Sequence, residues 1–363
     1  MEDEVRGDGP GPPRVSGPYR RSRRRWPYRN WRPDGGSWPT YAALDLGTNN
    51  CRLLVARPTH ESFRVIDAFS RIIRLGEGVS LSGVIGEGAI ARAVEALTIC
   101  RDKMAARGVT RARLIATEAC RAATNGADFL SQVRERVGIA LEVVDRETEA
   151  RLAATGCTPL VDPDADGVIL FDIGGGSSEL VLLGRPLPTN GGPPAPEIRA
   201  WASLPVGVVT LAERHGGLAV DRALFETMIA EVGVYVERFA AMSGKRPSGI
   251  HLLGTSGTVT TIAGVHLGLK RYDRRQVDGC WMTDEEVSAV IEQLLATDYE
   301  GRCANPCIGS ERADLVLAGC AILEAIRRAF PCRRLRVADR GLREGILVQL
   351  MREDGMWNGR GAA

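Results

Sequence analysis

Two short stretches of the chain repeat the same arrangement of acids and glycines. The stretch "FDIGGGSSEL" (171–180) sets Asp172 before three glycines and two serines, and Glu179 follows that aspartate by seven residues. The stretch "LDLGTNNCRLLVAR" (44–57) superposes without a gap on "FDIGGGSSELVLLG" (171–184), so that Asp45 meets Asp172, Gly47 meets Gly174 and Arg52 meets Glu179. A turn of Gly, Ser, Thr and Asn has little side-chain bulk, so successive backbone N–H groups can converge on one anion. Gly47, Thr48, Asn49 and Asn50 in the first turn, and Gly174, Gly175, Gly176 and Ser177 in the second, are therefore candidate phosphate ligands. Taken singly, either turn could equally be a tight hairpin whose glycines only permit positive φ.

Duplication changes that balance. Two Asp-led turns facing each other across a cleft could hold a phosphate chain between them. Asp45 and Asp172 would then suit Mg²⁺, a hard cation that prefers carboxylate and water oxygens alongside phosphate. A third bare loop, "LLGTSGTVTTIAG" (252–264), follows an apolar strand and precedes a helical pattern, which adds Gly254, Thr255, Ser256, Gly257 and Thr258 as anion ligands at a helix N-terminus. Neither a P-loop nor a Gly-x-Gly-x-x-Gly fingerprint occurs at these turns, which argues against those two nucleotide-binding classes.

The elements that must position these residues come in two similar runs. Short apolar stretches at 41–46 and 51–57 read as a hairpin, 62–75 as a third strand, 87–106 as a helix and 111–117 as a strand. A helix at 126–137, a strand at 140–145 and a helix at 147–156 follow, and the polar "DPDADG" (162–167) marks a break. The pattern then restarts with a hairpin at 168–184, a Pro/Gly-rich loop at 185–196, strands near 198–203 and 249–255, a helix at 221–241 and a final strand at 334–338. A repeated α/β module is the simplest account.

Bulk composition agrees with two domains. The chain of 363 residues exceeds the size of one ordinary core, and its 44% hydrophobic and 25% charged content is that of a globular protein. No stretch approaches the roughly 20 apolar residues that span a bilayer. The first 40 residues hold 9 arginines against 5 acids, whereas the rest holds 38 Lys+Arg against 40 Asp+Glu. Segment 1–39 reads as a disordered Arg-rich tail, since its composition cannot bury enough surface to offset the entropy of ordering. Nine scattered cysteines without paired spacing fit reduced thiols and a cytoplasmic protein.

These motifs together resemble the exopolyphosphatase and guanosine pentaphosphate phosphohydrolase family within the actin, Hsp70 and sugar-kinase superfamily. The resemblance rests on "ALDLGTNNCRLLVA" (43–56), "ATEACRAATNGADFL" (116–130), "VVDRETEARLAATG" (143–156), "FDIGGGSSEL", "LLGTSGT", "ERAD" (311–314) and "RGLREGIL" (340–347), in the family's order. It implies two ribonuclease-H-like, actin-like α/β domains flanking a central cleft. Domain I would span 40–166, with a C-terminal helix at 341–352 packing on it, and domain II 167–340. The chain resembles the short two-domain form.

Under this resemblance Glu149 matches the family's catalytic glutamate, which activates or positions the attacking water, and Asp172 and Glu179 match its other essential acids. Asp45, Asp172 and Glu179 would hold Mg²⁺. Arg121, Asn125 and Arg52 match polar residues near the polyanion, an arginine offering a bidentate fork to phosphate oxygens. Arg312, Asp314, Arg343 and Glu344 read instead as residues that hold the two modules together. The implied function is an exopolyphosphatase that releases orthophosphate from inorganic polyphosphate. Hydrolysis of guanosine pentaphosphate is the alternative within the fold, and a non-catalytic nucleotide-binding actin-like scaffold is the alternative of another class. The expected partners are one of those two substrates, with room for a homodimer, no membrane, and nucleic acid only through the Arg-rich tail.

Overall fold

The computed structural model describes residues 38–189, 191–244 and 249–357. Apart from Trp38 and Pro39, the Arg-rich tail lies outside the described residues. Among those residues no helix is long and apolar enough to cross a membrane.

The first sheet contains β1 (Tyr41–Leu46), β2 (Asn50–Pro58), β3 (Phe63–Ile72), β4 (Arg111–Ala116) and β5 (Glu142–Val143), in the order β3-β2-β1-β4-β5. The second contains β6 (Gly167–Ile173), β7 (Ser178–Leu183), β8 (Ile198–Leu204), β9 (Ile250–Thr255), β10 (Trp281–Thr283) and β11 (Arg334–Ala338), in the order β10-β11-β9-β6-β7-β8. Read from β8 to β11, its topology repeats that of the first sheet. Each has an antiparallel hairpin followed by a parallel neighbour, β1 beside β4 and β6 beside β9. The central hairpin of the second sheet is almost wholly buried, which is why β7 reads as an unbroken apolar run after its first two residues.

Most elements fall where periodicity puts them. The helices Glu87–Ala106 and Gly126–Val137 match the sequence expectation residue for residue. Two differences have local causes. The strand expected over 140–145 shortens to β5, because Asp145 leaves it to cap the next helix, accepting from Thr148 N at 2.7 Å. Strand β10, only three residues long, is too short to show an alternating pattern.

Two helices cross between the sheets. The helix Arg146–Cys157 puts Ala150, Ala154 and Cys157 into a small core with Val168 and Leu170 of β6 and Val181 and Leu183 of β7. It follows the first sheet in sequence yet packs on the second. The helix Leu342–Glu353 makes the reverse exchange, packing on β1, β2 and β4. The pair touch backbone to backbone, since a Cβ on Gly156 would overlap Gly341 O and one on Gly345 would overlap Leu152 O. This contact fixes where the second half of the chain starts relative to the first, and with it the position of Glu149.

Candidate active site

The two glycine turns close identically. Gly47 N donates to Asn50 O at 2.9 Å and Gly174 N to Ser177 O at 3.0 Å. Below each turn the register sets Asp45 opposite Arg52 and Asp172 opposite Glu179. Register partners share one face of a sheet. The seven-residue separation of Asp172 and Glu179 therefore puts both carboxyls on the same side, as the turn between them requires.

The turns meet across the cleft at a distance that answers for their lack of side chains. A Cβ on Gly175 would stand 2.9 Å from Thr48 Cβ, and one on Gly176 would stand 2.9 Å from Thr48 Oγ1. The carbonyls of Gly174 and Gly175 are taken up by Val208 N and Val209 N, at the start of the helix Val208–His215. The N–H groups of Thr48, Asn49, Gly175 and Gly176 have no protein acceptor among the described residues. Four unpaired donors on two facing turns are the arrangement that suits an anion.

The cavity here, of about 130 Å³, is lined by both turns, by Ser256, Gly257 and Thr258 of the third loop, and by Asp45, Glu149, Asp172 and Glu179. Crowding and burial favour protons on these acids. Burial pushes Glu149 up to about 7; Arg121 opposes the shift, and Asp45 and Asp172 add to it. Asp172 rises to about 6, through burial and then Asp45, against the pull of Arg52. Burial also raises Asp45, with Arg52 and Arg343 opposing. Glu179, 2% exposed, is driven well above the usual carboxylate range by burial and then by Glu149 and Asp172, although the hydroxyls of Ser177 and Ser203 donate to its Oε1 at 2.9 and 3.0 Å.

Four of the residues expected at the phosphate do other work. Asn125 is a correction: its Oδ1 accepts from Ile85 N at 2.8 Å and its Nδ2 donates to Ile85 O at 3.0 Å, so both amide atoms are spent on backbone. Arg121 is another, since it stands behind Glu149 rather than in the cavity, bonding Glu149 Oε2 at 2.9 Å, Glu118 Oε2 at 2.8 Å and Val144 O at 2.6 Å. Gly254 lies within β9, where a Cβ would press on Phe171, and takes no part in this arrangement. Thr255 gives its hydroxyl to Arg340 O at 2.6 Å.

Other residues at the site were not expected there. Arg312 lines the cavity, and Glu118 joins it while holding Arg121 and Arg146. Ser203 reaches Glu179 because β8 sets the two opposite each other. Only the strand register, which the sequence does not display, could have found Ser203.

The donor set at the cavity is all hard oxygen, with no thiol or imidazole. Three buried polar atoms there, Asn49 Oδ1, Asn50 Oδ1 and Ser256 Oγ, lack a partner. Among the described residues no three acids converge closely enough to cage an ion by themselves. Such a site fits a cation held by one or two carboxylates and completed by water and substrate phosphate, the usual habit of Mg²⁺.

Comparison with known proteins identifies relatives of the whole fold. The chain is 26% identical over 324 residues to exopolyphosphatase 2 of Mycobacterium tuberculosis, covering 85% of this chain and 98% of that one. It is 26% identical over 317 residues to the guanosine-5'-triphosphate,3'-diphosphate pyrophosphatase of Aeromonas salmonicida, covering 86% of this chain but 60% of that longer relative. The crystal structure of the Aquifex aeolicus Ppx/GppA family member superposes with a TM-score of 0.71 at 28% identity, covering 88% of this chain and 99% of that one. The family description, Ppx/GppA phosphatase, matches residues 54–354, and the chain belongs to that family.

Proposed function

We propose that the cleft hydrolyses the terminal phosphoanhydride of inorganic polyphosphate and releases orthophosphate. The observation that carries this reading is the placement of Glu149, a half-buried acid pushed up to about 7 and bonded by Arg121 at a cavity walled by two glycine turns with free N–H groups. The free N–H groups of Thr48, Asn49, Gly175 and Gly176 bind oxygens of the terminal phosphoryl group. Ionised Glu149 takes a proton from a water that attacks the phosphorus in line. The bridging P–O bond breaks, and the shortened chain leaves with its electron pair as a phosphate oxygen that needs no proton at neutral pH. Positioning and charge neutralisation supply most of the rate in such transfers.

Mg²⁺, held by Asp45 and Asp172 next to the substrate's oxygens, would neutralise charge on the transferring group. Glu179, fixed by Ser177 and Ser203, lines the same cavity and is the third acid expected near the ion. All nine cysteines are free thiols, which supports a reducing, cytoplasmic setting. A scaffold that only held nucleotide would have no use for a water-directing acid at 149.

The test is orthophosphate release by purified protein with Mg²⁺, offered polyphosphate, guanosine pentaphosphate and ATP side by side. Release from polyphosphate at the highest kcat/KM is the expected result. Preference for guanosine pentaphosphate would assign the alternative activity, and no release from any of them would end the enzymatic reading.

A further inference from the structure

Arg121 bonds Glu149, which lines the cavity, so its guanidinium stands one carboxylate away from the free N–H groups of the turns, yet it does not line the cavity itself. Arginine is the side chain that pairs most readily with phosphate oxygens. Its absence from the wall needs a cause. Five acids line the cavity, and Glu118 is the one among them with no part in the hydrolysis described above. A carboxylate in the wall of an anion site repels the ligand, so its presence there calls for another use.

The bonds of Glu118 supply that use. It opens the short helix Glu118–Ala122, and Arg121, one turn on, donates to its Oε2 from Nε at 3.1 Å and from Nη2 at 2.8 Å. Arg146 reaches it from the start of the helix Arg146–Cys157, donating to Oε1 from Nη2 at 2.7 Å and to Oε2 from Nε at 3.2 Å. Both oxygens are taken by guanidiniums. Burial works against the charge of Glu118, but Arg146 and then Arg121 hold its carboxyl below the usual carboxylate range, whereas the other four acids of the cavity are raised. The stem lies against the second glycine turn, where a Cβ on Gly176 would stand 3.1 Å from Glu118 Cγ. The side chain is thus held along its length.

We propose that Glu118 is a positioning residue that keeps the Arg121 guanidinium on Glu149 and out of the phosphate site. This rests on the hydrolytic reading above, in which Glu149 is the proton acceptor. Arg121 has three partners, Val144 O, Glu118 and Glu149, and the first two fix the orientation in which it meets the third. With Glu118 neutral, the guanidinium keeps one carboxylate and one carbonyl, and a phosphoryl group carrying several charges in the neighbouring cavity draws it away from both. Substrate and orthophosphate then bind more tightly, and Glu149 loses its aim.

The experiment measures kcat and KM for polyphosphate, and equilibrium binding of orthophosphate, in the wild type, Glu118→Gln, Arg121→Gln and the double variant, with kcat read on the plateau of each pH profile. Glu118→Gln keeps the stem against Gly176 and removes the charge. It is expected to lower kcat about ten-fold and to tighten orthophosphate binding about ten-fold, the scale of one charge-assisted hydrogen bond, with KM falling alongside. A residue that only supported the fold would slow turnover and weaken binding together. Because Glu118 acts through Arg121, the double variant should turn over faster than Glu118→Gln alone and lose most of the gain in orthophosphate affinity. An unchanged kcat, orthophosphate binding that is unchanged or weaker, or a double variant no faster than Glu118→Gln overturns the proposal. If the wild type releases no orthophosphate from any substrate, the functional reading fails, and the binding arm still decides: a gain on Glu118→Gln that vanishes with Arg121→Gln supports the restraint, and any other pattern overturns it.

Discussion

Arg121 donates from Nη2 to Glu149 Oε2 at 2.9 Å and from Nη1 to Val144 O at 2.6 Å, so the guanidinium ties the acid to the strand edge that precedes its own helix. The same group bonds Glu118 Oε2 at 2.8 Å. A cation in this position stabilises the ionised carboxylate and opposes the upward push of burial, which leaves Glu149 at about 7. Because Glu149 must be ionised to accept a proton, turnover should rise with pH through a limb near 7. Arg121→Gln removes the opposing charge, so the limb should move to higher pH by roughly one unit, with much of the rate recovered at alkaline pH. The pH dependence of kcat checks this; a uniform loss of rate at every pH would make Arg121 a structural residue only.

Glu149→Gln keeps the shape of the side chain and its bond to Arg121 through the amide oxygen, and removes the proton acceptor. Turnover of polyphosphate should fall at least roughly 100-fold while binding is retained. Single-turnover kinetics beside equilibrium binding would separate the two. A variant within a few-fold of the wild-type rate would remove Glu149 from the chemistry.

Asp172 links the site to stability. Its folded-state pKa of about 6 stands above the ordinary 3.8, so the folded protein holds this proton more tightly than the unfolded chain. Its contribution is fully present below about pH 4 and is lost as pH rises through about 6. Without Mg²⁺ the protein should therefore lose stability between these limits, and Asp172→Asn should flatten that fall by on the order of 2 kcal/mol. Tm measured against pH in chelator shows the effect directly. Parallel curves for the two proteins would mean that Asp172 is not strained by burial.

The facing turns predict a steric phenotype. Gly176→Ala sets a methyl against Thr48 Oγ1, and buried Thr48 cannot step aside without moving its own turn. The variant should fold, because β6 and β7 keep their register, and should lose phosphate affinity as the turns are forced apart. Orthophosphate inhibition constants are the measurement. Thr48→Ala beside Gly176→Ala removes the clashing hydroxyl and should restore part of the affinity.

Much of this site was legible in the sequence because its two halves rhyme. The spacing from Asp45 to Arg52 and from Asp172 to Glu179 is fixed by hairpin register, and register is written in the chain whenever a turn has a set length. Asn125 was misleading for a physical reason. Its type suits a phosphate ligand, yet its partner is the backbone of Ile85, forty residues away, and no local pattern announces such a bond. The helix Arg146–Cys157 shows an apolar stripe without saying which sheet it will meet, so its packing on β6 and β7 had to come from the fold. Of the four residues read as holding the modules together, Asp314 bridges them through Arg74 and Glu344 caps Gly341 N at 2.9 Å, while the guanidiniums of Arg312 and Arg343 have no hydrogen-bond or ion-pair partner among the described residues. Sequence gives the charge of an arginine and not its partner.

Arg74 and Asp314 carry the last prediction. Arg74 follows β3 in the first module and forks onto Asp314 of the second, with Nη1 to Oδ2 and Nη2 to Oδ1 both at 2.9 Å. Its backbone sits at φ 46, a left-handed position that costs an arginine about 1 kcal/mol or more, and Arg74 N is held there by Asn49 O of the first glycine turn. Glu213 adds a second bridge by accepting from Gly78 N at 2.7 Å and from the Ser80 hydroxyl. Both bridges join the half of the chain that carries the first sheet to the half that carries the second, and the chain itself passes between those halves on entering the helices Arg146–Cys157 and Leu342–Glu353. Arg74→Ala should let the modules part without substrate, raising the radius of gyration in solution scattering, and a slowly hydrolysed polyphosphate should restore compaction at higher concentration than in the wild type. Superposable curves for the two proteins, with and without the ligand, would show instead that the crossed helices alone hold the cleft at one width.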